Sequence, residues 1–553
     1  MSERSGQLMH NAALDDPARR KLGDVLRRQA DAIPDATYLL SGEDRISYGE
    51  ANALANRYAR GLRELGVTRG DTVAFFMRSC TEFVFATYGA MKLGAVWIPT
   101  NADYKGEWLR MSLEDSRSRV LFVDSGLVPR LVEVLGRASG DAGLGIEHVV
   151  VRGEIPEEAS QLAATVHAIA DLAGRDGEEP DDPGIEYGDT AAVLWTSGTT
   201  GRSKGVMQSH NAWVRGAVSG AVTSGIRDHD VMYCCLPMYN SAAWVACVYR
   251  ALVTGLPFAL DPEFSPKRFW DRCRHYGATQ TFTLGAMHMF LWQAPERDDD
   301  ADNPVRHSSM IPVPDDLIAP FKRRFGIETI DQGYGQSEVL GLLHRVDDGT
   351  KWKPGCLGIS LPGVEVSLRG DDDREVTPGE VGEFCVRPTE PFVLFNGYFN
   401  DPEATLRSFS NLWYHLGDLG KRDEDGDYYF VDRKADYIRH KGRNISSFAV
   451  EAAATAHPSV AQAAAYGVQS AELESESELK LAVVAAPGAS LEAEDLARFI
   501  NDNAPYFFVP RYIELVDELP QTPTGRVQKY KLRERGVTAG TWDRDAAGFV
   551  VKR

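Results

Sequence analysis

The densest chemistry in the chain lies at residues 191–210, AAVLWTSGTTGRSKGVMQSH. An apolar run, Ala191–Trp195, leads into a stretch in which Thr196, Ser197, Gly198, Thr199, Thr200, Gly201 and Lys204 crowd together. Glycines let a backbone approach an anion closely, hydroxyls and amides donate hydrogen bonds, and the lysine adds a point charge. That is the composition of a phosphate cradle. It is not the Walker loop of kinases and GTPases, which requires Gly directly before Lys. Here Gly201 is followed by Arg202, Ser203 and only then Lys204.

The flanking pattern predicts the elements that would hold such a loop. Residues 48–66 place Ala51, Leu54, Ala55, Tyr58, Ala59 and Leu62 at helical spacing, with Gly66 as a stop. Strand candidates DTVAFFM, AVWIPT and RVLFVD alternate with helical stretches, the rhythm of a parallel sheet with crossover helices. The Gly-, Pro- and acid-rich stretch 171–188 predicts a surface connection to a second α/β unit, within which 296–304 forms another loop. From about Pro354 short β-like runs separated by Gly- and Asp-rich turns predict a β-rich region. After Arg433 the chain reads as a compact mixture: a helix near 448–457, strands AAAYGV and LKLAVVAAP, a helix across LEAEDLARFIND and the turn TPTG. The polar run Asp432–Asp436 marks the boundary. The expected fold is therefore α/β: a large N-terminal domain, 1–433, of two α/β subdomains plus a β-rich subdomain, and a small α+β C-terminal domain, 434–553.

Composition excludes several functions. Across 553 residues, 60 Lys+Arg against 80 Asp+Glu leave a formal net charge of −20, the opposite of the basic footprint a bulk nucleic-acid binder carries. With 43% hydrophobic and 25% charged residues the chain has the balance of a globular protein. The first residues carry no signal-type apolar run, and no apolar stretch approaches the ~18 residues that span a bilayer, so a cytoplasmic location is expected. Seven scattered cysteines without a C-x-x-C pair predict reduced, buried thiols, and the absence of H-E-x-x-H gives a metallohydrolase little support.

TSGTTGRSKG resembles the signature loop of the adenylate-forming superfamily: acyl-CoA synthetases, firefly luciferase and the adenylation domains of peptide synthetases. The likeness continues through GVTRGDTVAFF, GAVWIPTN, YGQSE, YHLGDLG, FVDRKADYIRHKG and LPQTPTGRVQKYKLRE, in order, over roughly residues 35–535. It implies ATP, Mg²⁺ and coenzyme A as partners of a carboxylic acid, with neither nucleic acid nor membrane involved. Within Gly333-Tyr334-Gly335-Gln336-Ser337-Glu338 the resemblance implies that Tyr334 stacks on adenine and that Glu338 binds the metal, with Ser337 where Thr is usual. Asp418 and Arg433 match the positions that hold the ribose hydroxyls. The basic cluster Arg433, Lys434, Arg439, His440, Lys441 and Arg443 reads equally well as a solvated face or as a surface meeting nucleotide phosphates. The implied reaction has two steps, acyl-adenylate formation and then attack by a thiol, with the mobile C-terminal domain rotating about a hinge near Ala435.

Departures from the family pattern fall at informative places. The lysine that follows the glycine of the C-terminal loop is replaced by Arg526, which keeps the cation but is no neutral exchange. Lys529 is the substitute candidate, and in a strand it would point to the face opposite Arg526. LPMYNSAAW has Asn240 where His is common, so Tyr239, Asn240, Trp244 and Gly341 are expected beside the acyl pocket, with Thr283, Met287 and His288 nearby. Ser308-Ser309-Met310-Ile311-Pro312 stands for the usual glycine-rich strand, similar to the crotonobetaine/carnitine-CoA ligase branch, and Ala435 replaces the usual polar hinge residue. The leading expectation is an acid–CoA ligase for a small or medium carboxylic acid, with the residues expected around the pocket leaning towards an aromatic or polar-tipped acid over a long fatty chain. The alternatives are an adenylate-forming ligase with an amine, nitrite or carrier-protein thiol as acceptor, or a nucleotide sensor without catalysis.

Overall fold

Helix α1 (Tyr48–Glu64) starts where its sequence provides a reciprocal cap: Ser47 Oγ accepts from Glu50 N (3.2 Å), and Glu50 Oε2 accepts from Ser47 N (2.8 Å). Its periodic residues Ala51, Ala55, Tyr58, Ala59 and Leu62 are buried, and Gly66 follows with φ +81°. α1 belongs to a computed structural model that describes residues 16–136, 144–196, 204–345, 353–434, 436, 438–440, 443–469, 477–521 and 527–552. The chain divides into two units. The first holds the described residues up to Thr196 with Lys204–Val366 and Arg387–Arg407; the second holds Ser367–Val386 and the described residues from Ser408 on.

In the first unit, strands β1 (Thr72–Phe76), β2 (Val96–Pro99), β3 (Val120–Asp124), β4 (His148–Arg152), β5 (Thr165–Ala168), β6 (Thr190–Thr196) and β7 (Lys204–Ser209) form one sheet in the order β5-β4-β3-β1-β2-β6-β7. All neighbours are parallel except β6 and β7, which pair antiparallel. α1 packs with helix α2 (Thr81–Lys92) over this sheet, where Phe75 stacks between Phe83 and Phe122 at 4.8 and 5.0 Å. Each such fully buried ring contributes about 1.5–3 kcal/mol. Helix α3 (His210–Thr223) follows β7 directly.

A second sheet of this unit contains β8 (Met232–Cys234), β9 (Gln280–Leu284), β10 (His307–Ile311) and β11 (Thr329–Tyr334), neighbours in that order and parallel. β12 (Leu343–Arg345) then pairs antiparallel with β11. Ligands of open α/β sheets bind outside the carboxyl ends of parallel strands; Leu284, Ile311 and Tyr334 stand at those ends.

β13 (Gly382–Pro388), which belongs to the second unit as far as Val386, β14 (Trp413–Arg422) and β15 (Tyr428–Arg433) are antiparallel neighbours. β16 (Val460–Gln469), β17 (Ser477–Ala485) and β18 (Tyr512–Leu515) form another sheet, whose core takes in helices α4 (Ser447–Thr455) and α5 (Ala493–Asn503). The polar run read as a boundary begins with a buried residue: Asp432 accepts from Arg433 N (2.7 Å) and from Ser447 Oγ (3.3 Å), tying β15 to the start of α4. Lys529 departs from its strand expectation, because it opens helix α6 (Lys529–Arg535). All seven cysteines are buried and free of disulfides. Among the described residues no helix is long and apolar enough to cross a membrane.

Candidate active site

The antiparallel pairing of β6 with β7 places Thr196 opposite Lys204, and Thr196 Oγ1 donates to Lys204 O at 3.3 Å. Ser197, Gly198, Thr199, Thr200 and Gly201 lie outside the described residues. The Lys204 ammonium sits 4.6 Å from the centre of the Tyr398 ring, and the Tyr398 hydroxyl donates to Glu338 Oε1 at 3.0 Å. Tyr398 is carried there by an extended segment alongside β7: Asn396 N donates to Met207 O (2.8 Å), Met207 N to Gly397 O (3.1 Å) and Phe399 N to Gly205 O (2.7 Å). One aromatic residue thus joins the cation of the phosphate loop to the buried carboxylate of the Gly333–Glu338 motif. Nothing in the sequence singled it out, because the contact depends on the return of a segment almost two hundred residues downstream.

Tyr334 ends β11, half-buried, with its hydroxyl accepting from Gln336 Nε2 at 3.1 Å. The glycines on either side are required by close backbone approach. A Cβ on Gly333 would lie 2.7 Å from Leu343 O, and one on Gly335 would lie 2.7 Å from Gly341 N. Two buried residues fix the loop that follows. Gln208 Nε2 donates to Ser337 O. Arg215, from α3, donates from Nη1 to Val339 O (3.3 Å) and Gly341 O (2.7 Å), and from Nε and Nη2 to Pro362 O (3.0 and 2.7 Å). Burial pushes the Arg215 guanidinium down to about 10.

In the second unit Asp418 and Arg433 are cross-strand partners on β14 and β15, with Arg433 Nε 3.4 Å from Asp418 Oδ1. The two predicted ribose ligands are therefore brought together, the acid buried and the guanidinium partly exposed. From the basic cluster, Lys434 Nζ bonds to Glu383 Oε2 (2.9 Å). Arg439, His440 and Arg443 lie on a short antiparallel hairpin, and Lys441 lies outside the described residues. Lys529 Nζ donates to Ser447 Oγ (2.6 Å) and pairs with Glu451 Oε1 (2.7 Å). Burial raises the Glu451 carboxyl against the opposing pull of Lys529. Arg526 and Ala435 lie outside the described residues.

The family model for AMP-binding enzymes matches residues 26–399, and the model for the AMP-binding enzyme C-terminal domain matches residues 449–526. The chain belongs to the AMP-binding enzyme family. It is 30% identical over 497 residues to the crotonobetaine/carnitine–CoA ligase of Salmonella agona, covering 88% of this chain and 93% of that one. Among solved structures it resembles ATP-bound MatB from Rhodopseudomonas palustris, 25% identical, with a TM-score of 0.78 over 93% of this chain and 98% of that one. The fold is also that of the anthranilate CoA ligase AuaEII in complex with anthranoyl-AMP, 23% identical, with a TM-score of 0.81 over 95% and 98% of the two chains.

For an AMP-binding enzyme the acid-binding region is the least legible part. Trp244, expected to line the acyl pocket, is a core residue instead: it is fully buried, its ring lies 4.4 Å from that of Trp97, and its indole N–H donates to Met238 O at 2.7 Å. Asn240 Oδ1 accepts from Ala242 N (3.0 Å) and caps the turn that follows. Tyr239 is half-buried, its hydroxyl raised first by burial and then by Asp103. His288 is held neutral, burial pushing it down to about 4, with Nδ1 3.2 Å from Thr283 Oγ1. Gly341 adopts φ +111°, a conformation suited to glycine.

Proposed function

We propose that this AMP-binding enzyme is an acid–CoA ligase: it activates a carboxylic acid with ATP as the acyl-adenylate and transfers the acyl group to coenzyme A. The observation that carries the reading is the Lys204–Tyr398–Glu338 constellation at the start of β7, a cation and a buried carboxylate held through one ring. A substrate carboxylate oxygen attacks the α-phosphorus, and the bond to pyrophosphate breaks. The CoA sulfur, having lost its proton to solvent, then attacks the acyl carbon and AMP leaves. Lys204 and the hydroxyl-rich loop 196–201 receive the phosphates, Tyr334 the adenine, and Asp418 with Arg433 the ribose hydroxyls. Catalysis of the first step is mainly positioning and charge stabilisation. The Glu338 carboxylate is the hard oxygen donor that Mg²⁺ prefers, and that ion would offset phosphate charge.

Arg526 supplies the cation at the reacting carboxylate and α-phosphate, with Lys529 as its substitute. The small domain, from about residue 434, rotates near Ala435 between the half-reactions. Tyr239, Asn240 and Gly341 border the acid, and the cytoplasm is the compartment.

The test is pyrophosphate release over a panel of small, aromatic and fatty acids, with and without CoA, followed by mass spectrometry. AMP, pyrophosphate and an acyl-CoA in equal amounts are expected. ADP formation, or no pyrophosphate with any acid, overturns the reading. Pyrophosphate release whose turnover CoA does not support assigns a different acceptor.

A further inference from the structure

Cys385 on β13 is directly opposite His415 on β14, so the two side chains leave the sheet on one face. Glu383, two residues earlier, reaches the same point. Cys385 Sγ lies 3.4 Å from His415 Nδ1, and His415 Nδ1 lies 3.0 Å from Glu383 Oε2. Ligand atoms of all three fall within 4.8 Å of one another. Zinc takes thiolate at about 2.3 Å, imidazole at about 2.0–2.1 Å and carboxylate at about 2.0–2.2 Å, in a tetrahedron. Those bonds set a sulfur–nitrogen edge of about 3.6 Å and a nitrogen–oxygen edge of about 3.4 Å. The observed spacings depart from these by less than about 0.5 Å.

The surroundings have the form of a ligand set's outer layer. A ligating imidazole usually presents its other ring N–H to a carboxylate. His415 Nε2 lies 3.6 Å from Asp373 Oδ1, longer than a hydrogen bond but close enough for a small shift of the ring to make one, and Glu383 Oε1 accepts from Gly417 N at 3.1 Å. Cys385 and Glu383 are buried while His415 and Lys434 are partly exposed, which leaves a path from solvent. The Lys434 ammonium already occupies the cation position beside Glu383.

We propose that Glu383, Cys385 and His415 bind Zn²⁺ through Oε2, Sγ and Nδ1, with water as the fourth ligand where the Lys434 ammonium now sits. On binding, the Cys385 thiol proton passes to solvent, the thiolate bonds the metal, and Lys434 swings out into water. The nucleotide chemistry uses none of these three ligands, so the site stands independently of the ligase reading.

Cobalt(II), a spectroscopic stand-in for zinc, tests this on the metal-free full-length protein. One equivalent should produce a thiolate-to-cobalt charge-transfer band with the intense visible absorption of a tetrahedral ion, and one equivalent of Zn²⁺ should abolish it. Cys385→Ser should remove the band. Asp373→Asn should weaken affinity about 10–100-fold, and Lys434→Met should tighten it by removing the competing cation. These last two keep the buried thiol in place and carry the test if Cys385→Ser does not fold. No band in the wild type, an undiminished band in Cys385→Ser, or unchanged affinity in both Asp373→Asn and Lys434→Met would overturn the assignment.

Discussion

At the scale of single residues, Tyr398 does two separable things. Its hydroxyl bonds to the Glu338 carboxylate and its ring lies beneath the Lys204 ammonium. A hydrogen bond to a charged group contributes about 1.5–3 kcal/mol, and a cation–π contact about 0.5–2 kcal/mol. Tyr398→Phe keeps the ring and should lower kcat/KM for ATP about 10–100-fold in a pyrophosphate-release assay; Tyr398→Leu should fall further. Equal losses in the two variants would show that the ring contributes nothing. Arg526 and Lys529 separate in the same way. Lys529 neutralises Glu451 inside the second unit, so Lys529→Ala should lower that unit's thermal midpoint, and Glu451→Gln in the same chain should restore most of it. Arg526→Ala should cost about 10²–10³ in adenylation rate, by analogy with loss of an oxyanion donor, with little change in the midpoint. Full adenylation in both alanine variants would remove both residues from the chemistry.

At the scale of elements, the loop after Glu338 owes its shape to α3. Arg215 reaches out of that helix and holds the carbonyls of Val339, Gly341 and Pro362. Arg215→Met keeps the bulk of the stem and leaves three carbonyls without their donor. It should cost at least about 2 kcal/mol of stability, since each buried group left unsatisfied costs about 1–3 kcal/mol. If the loop binds substrate without reacting, as proposed, KM for ATP or acid should rise more than kcat falls; a fall confined to kcat would contradict this. Elements of this kind were readable when local pattern decided them. The capped helix α1, the strand into Thr196 and the β runs 382–388 and 428–433 follow from periodicity and turn residues close by. Arg215 looked like any helical arginine, because its partners lie 124 to 147 residues away in sequence. Trp244 was misplaced for the complementary reason. An aromatic residue near a pocket motif and one in a core have the same local signature, and it is the packed rings of Phe83, Trp97 and Tyr249 that distinguish them.

At the scale of the whole molecule, motif order carried the family, but stability against pH depends on side chains whose burial no composition reveals. His210 opens α3 and is buried, with Nδ1 accepting from Leu22 N at 3.3 Å, a stitch across 188 residues that requires a neutral ring. Burial pushes the imidazole down to about 4; Asp189 pulls it up and Lys21 pushes it further down. The unfolded chain returns it to about 6.5. Between those values the unfolded state takes up a proton that the folded state refuses, so stability present above pH ~6.5 is lost as pH falls towards about 4. At pH ~5 the loss attributable to His210 is about 2 kcal/mol. His288, also held near about 4 by burial, acts in the same direction and steepens the wild-type curve. His210→Asn places an amide oxygen near the position of Nδ1 and cannot titrate. Urea unfolding followed at pH 7 and pH 5 should therefore show a variant that is less stable at pH 7 but loses about 2 kcal/mol less than the wild type on acidification. Parallel losses in the two proteins would mean that the ring is already charged in the folded state, and that the Leu22 contact does not hold it neutral.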